Sequence, residues 1–132
     1  MFGAPSRYAG PGAGARYRDV DVAARVEGAS PHGLILIMFE ELLKGLDSLA
    51  AAERAGDRGR AAPIQSRALS ILHGLEAGLD FDRGGEIAQS LAKIYREARR
   101  LVSLPHSQDR AAGLAQARTM IADIASAWMS IG

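Results

Sequence analysis

The chain has 132 residues and no cysteine, and its 16 basic and 15 acidic side chains give a formal net charge of +1. This length suits one domain with a modest core, and the lack of cysteine excludes disulfides and thiolate metal sites. The small net charge gives no reason to expect a nucleic-acid partner or an anionic membrane surface. The longest apolar run, residues 34–39, falls far short of the roughly 18 residues of a membrane span. We therefore expect a soluble, cytoplasmic protein without membrane insertion.

The N-terminal region divides into a tail and a short amphipathic stretch. Residues 1–16 are rich in glycine and proline and show no hydrophobic period, which predicts a disordered tail before a domain at residues 17–132. Apolar residues recur at a roughly helical spacing between Tyr17 and Glu27, among them Val20 and Val26. Such a short stretch is not a stable helix by itself, so we expect it to act as a cap segment on the rest of the domain.

The next segment predicts a long and unusually apolar helix. Ser30 is a suitable N-cap, Pro31 suits the first helical position, and Gly56 is the expected C′ residue after Ala55. The apolar residues between these ends are Leu34, Ile35, Leu36, Ile37, Met38, Phe39, Leu42, Leu43, Leu46 and Leu49. They cover more than half of the helix circumference, whereas an amphipathic surface helix needs a stripe of roughly 100°. Either this helix is central in its own domain or part of it faces a partner.

Three further helices follow, each with an apolar stripe. The second carries Ile64, Ala68, Ile71, Leu72, Leu75 and Leu79; the third Ile87, Leu91, Ile94, Tyr95, Ala98, Leu101 and Val102; the fourth Leu114, Ala117, Ile121, Ile124 and Trp128. Ser107 is the expected N-cap of the fourth helix, and no segment alternates with the period of a strand. Short links between four such helices predict an all-α fold, an antiparallel up-down-up-down four-helix bundle with a short helical or extended N-terminal cap segment.

Catalytic and metal-binding patterns are missing from the sequence. The histidines His32, His73 and His106 have no second ligand at a metal-binding spacing, and no glycine-rich loop precedes a lysine and a hydroxyl residue. We therefore predict no catalytic residue, no cofactor, no metal and no enzymatic activity.

One histidine leaves an alternative function open. A histidine on a four-helix bundle can carry a phosphoryl group, and His73 is followed by Gly74 and Gly78. Glu76, however, stands where a cation would be expected to steady the phosphate, and a like charge there opposes the phosphorylated state. A histidine phosphotransfer bundle that uses His73 is therefore the alternative function.

Several segments, in their order and spacing, resemble one family. Ala29-Ser30-Pro31-His32 with the apolar residues after it resembles the pattern A-S-P-x-x-L-I-x-M-L-[YF]-D. The segment from Leu79-Asp80 through Gly84-Gly85-Glu86-Ile87-Ala88 is similar to L-D-x-x-x-G-G-E-I-A-x-N-L-x-x-[LM]-Y. Ala127-Trp128 matches the usual Ala-Trp of the last helix. Between Tyr17 and Ile131 the chain thus resembles the flagellar secretion chaperone of flagellin, the FliS family, although Glu41 replaces a common glycine.

The resemblance implies a cytoplasmic chaperone that is not an enzyme. It would bind the disordered C-terminal region of flagellin, prevent premature polymerisation and deliver flagellin to the flagellar type III export apparatus. The expected groove contacts are Leu36, Phe39, Leu43, Leu46, Leu69, Ile87, Leu91, Tyr95 and Met120. The N-terminal segment can cover part of the apolar surface in this family, so we expect Tyr17, Val20 and Val26 to shield the groove until flagellin displaces them.

Overall fold

The computed structural model describes residues 20–106 and 109–131, and the regular structure in these residues consists of five helices without a strand. The predicted all-α class is confirmed. The chain divides into two compact units, an N-terminal unit that ends at Ile37 and a bundle unit that begins at Met38. None of the described helices is long and apolar enough to cross a membrane.

The N-terminal unit contains helix α1, residues 20–28, and the start of helix α2, Pro31–Arg54. The predicted beginning of α2 is confirmed, because the Ser30 hydroxyl accepts a hydrogen bond from the Gly33 amide at 3.1 Å. The Ser30 carbonyl also accepts the first helical hydrogen bond, from the Leu34 amide at 2.8 Å. Helix α2 then continues into the bundle unit. The predicted tail, residues 1–16, lies outside the described residues.

In the bundle unit, α2 ends at the glycine that the sequence indicates. Gly56 has φ +68°, and its amide donates to the Glu53 carbonyl while the Asp57 amide donates to the Ala52 carbonyl. This pair of bonds is a Schellman motif, which needs a residue in the left-handed region and so favours glycine. Asp57 immediately caps helix α3, Arg58–Ala77, since its carboxylate accepts from the Arg60 amide at 3.1 Å.

Aspartate caps also begin the last two helices. Asp80 caps helix α4, Phe81–Val102, by accepting from the amides of residues 82 and 83. A kink at Gly85, with φ +49° and ψ −124°, separates the first turn of α4 from the remainder. Helix α5 spans Arg110–Ile131, and the Asp109 carboxylate accepts a hydrogen bond from the Ala112 amide at 3.2 Å in its first turn. Ser107, the predicted N-cap of this helix, lies outside the described residues.

Contacts from α2 show that it runs antiparallel to both of its neighbours. The tight turn at Gly56 reverses the chain between α2 and α3, and Glu41 of α2 pairs with Arg67 of α3 at 3.6 Å. Toward α5, Asp47 pairs with Arg118 at 2.6 Å, whereas Glu53, further along α2, pairs with Arg110, earlier in α5, at 3.0 Å.

Helix α4 completes the antiparallel arrangement. Its end meets the first half of α3, where the Gln65 side chain donates to the Val102 carbonyl at 2.9 Å, and Arg96 reaches back to Glu76 at 2.7 Å. The last turn of α4 lies against Gly113 in the first turns of α5. These contacts give the bundle unit the predicted up-down-up-down order of four helices.

Helix α2 contributes large side chains to the core, whereas α4 contributes mainly small ones. The buried bulk of α2 comes from Phe39, Leu42, Leu46 and Leu49, each at most 2% exposed. Helix α4 instead buries Ala88, Ala92 and Ala98 among larger residues, and it packs against both α3 and α5. Of the two explanations for the apolar surplus of α2, burial in the core accounts for Phe39 and Leu46, whereas Leu36 and Leu43 stay half-buried.

The predicted stripe of α4 needs a correction at its first turns. Ile87 is 73% exposed, and Leu91 and Ile94 are half-buried, so these three residues do not form the core face. The alanines take that face because a small side chain permits close approach of two helix backbones. The larger aliphatic residues remain on the flank of the helix.

Candidate partner-binding surface

One flank of α4 is apolar, and its position in the bundle follows from the helical spacing. Ile87, Leu91 and Ile94 are separated by four and three residues and therefore lie on the same side of the helix. Arg96 and Arg99 lie on the opposite flank of α4, beyond its buried face, and both bind Glu76 of α3. The apolar flank therefore points toward α5.

A matching apolar flank occurs on α5. Gly113, which packs against Leu101 and Leu104, marks the side of α5 that faces α4. Met120, Ile124 and Ile131 follow Gly113 by 7, 11 and 18 residues and lie on that same side. Met120 and Ile124 are half-buried, and Ile131 is 73% exposed.

The antiparallel register brings these two flanks together. Because residue 101 meets residue 113, the first half of α4 lies at the height of the second half of α5. We name this surface the α4–α5 apolar strip, composed of Ile87, Leu91, Ile94, Met120, Ile124 and Ile131. Contiguous exposed apolar surface of this kind is typical of a binding site, whereas single exposed apolar residues are ordinary.

The structure separates the predicted contact residues into three groups. Ile87, Leu91 and Met120 come together in the strip. Leu36, Leu43 and Leu69 are half-buried and lie elsewhere. Leu36 belongs to the N-terminal unit, and Leu43 lies on the α5 side of α2, one turn from Asp47. Leu69 lies on the α4 side of α3, one turn from Gln65. Phe39, Leu46 and Tyr95 are at most 3% exposed and line no surface in this structure.

Sequence reasoning assigned Ile94 and Ile124 to core stripes and did not single out Ile131. The helical spacing of the alanines in α4 could have indicated this, because in a helix that buries alanines the larger apolar residues lie on the flanks. Of the three residues expected to shield a groove, Val20 and Val26 are exposed residues of α1, and Tyr17 lies outside the described residues.

Three arginines of α4 form ion pairs with glutamates. Arg96 and Arg99 bind Glu76, and hydrogen bonding from Arg96, aided by Arg99, lowers the pKa of the Glu76 carboxyl. Arg100 binds Glu97 at 2.6 Å and lowers the pKa of that carboxyl too. Paired charges of this sort favour a solvated structural face over a site for an anionic polymer.

Three observations bear on chemical activity. His73 is exposed one turn before Glu76, whose carboxylate is bound by the two arginines. Within residues 20–106 and 109–131, no three His, Cys, Asp or Glu side chains are grouped so that they could hold a metal ion. Burial also raises the pKa of the Tyr95 phenol to about 12, which keeps this core hydroxyl neutral.

Comparison with known proteins identifies the family. Residues 13–132 match the family model described as flagellar protein FliS. This chain belongs to the FliS family. The flagellar secretion chaperone FliS of Salmonella typhimurium is 32% identical over 116 residues, which cover 87% of this chain and 86% of that protein. The flagellar secretion chaperone FliSB of Pseudomonas aeruginosa is 32% identical over 120 residues, 88% of this chain and 92% of that protein. The resemblance deduced from the sequence motifs is thereby confirmed.

Proposed function

We propose that this FliS-family chain is a cytoplasmic export chaperone that binds the C-terminal segment of flagellin. It would prevent premature polymerisation and deliver the cargo to the flagellar type III export apparatus. Family membership and the names of the two relatives support the chaperone class. The observation that carries the choice of surface is the α4–α5 apolar strip, which lies outside the buried core of the bundle.

The dimensions of the strip suit a short helical segment. From Met120 to Ile131 the helix rises about 16 Å, at 1.5 Å per residue, which corresponds to three turns of a docked helix. An amphipathic helix binds such a groove through apolar anchors spaced three or four residues apart. Both walls present side chains at this spacing, Ile87, Leu91 and Ile94 on α4 and Met120 and Ile124 on α5.

The energetics suit a cargo that must later be released. A disordered segment that folds on binding pays about 2–5 kcal/mol of ordering free energy, offset by burial of on the order of 1,000–3,000 Å². The bundle itself is held by a buried apolar core and by ion pairs between helices, so the ordering cost falls on the cargo. The resulting affinity is sufficient to mask sticky helices and still permits hand-over.

A calorimetric titration of the full chain with a flagellin C-terminal peptide tests this proposal. We expect binding with a negative heat-capacity change, the signature of apolar burial. Ile87→Asp and Ile131→Asp should each weaken binding, because a carboxylate in the strip would be desolvated by the cargo. No binding, or binding unaffected by both substitutions, would contradict the proposal. Labelling of His73 by a phospho-donor would favour the phosphotransfer alternative instead.

A further inference from the structure

Three exposed arginines surround the turn between α2 and α3. Arg54 is the last residue of α2, Arg58 is the first residue of α3, and Arg60 follows two positions later. None of their side chains forms an ion pair with another residue in the part of the chain that the structure describes. We name this surface the basic corner, composed of Arg54, Arg58 and Arg60.

The two acidic residues of the same turn are engaged in other contacts. Glu53 lies 3.0 Å from Arg110 and 3.3 Å from His106. The Asp57 carboxylate accepts the hydrogen bond from the Arg60 amide that caps α3. The guanidinium groups of the basic corner are therefore open to carboxylates from another molecule.

The stability of α3 does not account for arginines at positions 58 and 60. The first turn of a helix carries the positive end of the helix dipole, so an acidic side chain is favourable there and a basic one is unfavourable. The first turn of α3 contains Arg58 and Arg60 and no acidic residue. Both arginines therefore lower the stability of the helix that carries them, which indicates a role outside the fold.

The opposite end of the bundle carries the opposite charge. Between residues 78 and 87 three acids stand against one base: Asp80, Asp82 and Glu86 against Arg83. Helix α3 separates this end from the basic corner, and its 20 residues rise about 30 Å. Ile87 and Ile131 of the strip belong to the acidic end, so a partner at the basic corner leaves them accessible to a cargo segment.

We propose that the basic corner docks an acidic surface patch of a second protein while the strip holds its cargo. A guanidinium group is planar and pairs with a carboxylate through two parallel N–H···O bonds. The Schellman motif at Gly56 and the Asp57 cap fix the backbone of the turn, so docking has to order only side chains. The opposite charges of the two ends orient the bundle, so that the basic corner faces an acidic surface as the two proteins approach.

The size of the basic corner favours a compact group of carboxylates over a long polyanion or a membrane. A nucleic acid that follows the bundle axis would meet the acids at the far end, and the whole chain has a net charge of only +1. Membrane surfaces are bound by larger basic clusters of about 4–8 residues, or by helices that also insert apolar side chains. None of the exposed large apolar residues in the described part of the chain belongs to this turn.

Fluorescence anisotropy of a labelled polyglutamate peptide with the full chain tests the proposal, at about 50 mM NaCl to limit screening. Arg58→Gln combined with Arg60→Gln should raise Kd about fivefold or more. The matched control combines Arg83→Gln with Lys93→Gln, which removes the same charge from exposed residues of α4 and should change Kd less than about twofold. Saturation with the flagellin C-terminal peptide should leave the Kd of the polyglutamate peptide unchanged.

Thermal melting separates docking from a structural role. Arg58→Gln with Arg60→Gln should not lower Tm, because the removed charges oppose the helix dipole. A lower Tm in this variant overturns the inference, because the two arginines then support the fold.

Three binding results also overturn the inference. They are equal losses of affinity in both double variants, no binding of polyglutamate to the unmodified chain, and competition between polyglutamate and the flagellin peptide. Tighter binding of duplex DNA or phosphatidylserine vesicles, lost in Arg58→Gln with Arg60→Gln, overturns the choice of a protein partner. The docking surface goes beyond the proposed function: failure of the flagellin peptide to bind would overturn that function, whereas the two double variants still test the basic corner.

Discussion

The sharpest prediction concerns Ile87, the most exposed α4 residue of the strip. Full burial of an isoleucine side chain contributes about 1.5–3 kcal/mol relative to exposure. Ile87 is 73% exposed in the free chain, so roughly 1–2 kcal/mol of this contribution is available only when a partner covers it. We therefore expect Ile87→Ala to raise the Kd for the flagellin peptide about 5–30-fold.

A graded series separates this effect from damage to the fold. Ile87→Val removes one methylene group and should raise Kd only about two- to threefold. Gln89→Ala alters an exposed residue of α4 outside the strip and should leave Kd unchanged. Unfolding free energies should stay within about 0.5 kcal/mol of the unmodified chain, since exposed positions contribute little to stability. Isothermal titration calorimetry and urea denaturation supply the two measurements.

Two results would refute the reasoning. If Ile87→Ala binds the peptide as tightly as the unmodified chain while Gln89→Ala does not, the cargo lies on another face of α4. If Ile87→Ala weakens binding only in proportion to a lost stability, Ile87 supports the fold and is not a contact residue.

Three further predictions concern other parts of the chain. Deletion of residues 1–26 should lower the Kd for the flagellin peptide if this segment shields the apolar surface; unchanged or weaker binding in calorimetry contradicts the shielding. Between pH 10 and about 12 the unfolded chain releases the Tyr95 proton while the folded chain retains it, so the unfolding free energy should fall by up to a few kcal/mol as the pH rises. Tyr95→Phe should lack this fall in denaturation curves recorded across that range, and an identical fall in the variant would exclude Tyr95 as its source. Gly113→Ala should destabilise the chain by about 1–3 kcal/mol, because its Cβ would lie 2.7 Å from the Leu104 side chain and 3.3 Å from the Leu101 carbonyl oxygen, which belongs to the backbone and cannot rotate away. Gly45→Ala meets nothing within 4 Å and should stabilise α2 by about 0.5–1 kcal/mol in thermal or urea unfolding. Equal effects of the two substitutions would contradict the packing argument.

Local rules of helix ends made much of the fold predictable. Ser30, Gly56 and Asp57 act through hydrogen bonds to residues at most a few positions away, so their roles can be read directly from the order of residues. The apolar stripes then gave the number of helices and their order. The position of the α5 cap was less certain, because Ser107 and Asp109 both have side chains suited to capping.

The candidate site was less predictable, because apolar residues in a core and in a groove have the same chemistry. Phe39 and Tyr95 were expected in the groove but are buried, while Ile94 and Ile124 were expected in the core but lie in the strip. Burial depends on how closely two helices approach, and this distance is set by the residues of both helices. Helical spacing alone predicts on which side of a helix a residue lies, but not how closely the neighbouring helix packs against that side.

The distribution of small residues explains how the bundle can bury a core and still leave the α4–α5 apolar strip outside it. Ala88, Ala92 and Ala98 take the buried face of α4, so Ile87, Leu91 and Ile94 stay outside the core, where we propose that a partner covers them. Substitutions in the α4–α5 apolar strip should change binding far more than stability, and substitutions of buried Phe39 or Leu46 should do the opposite.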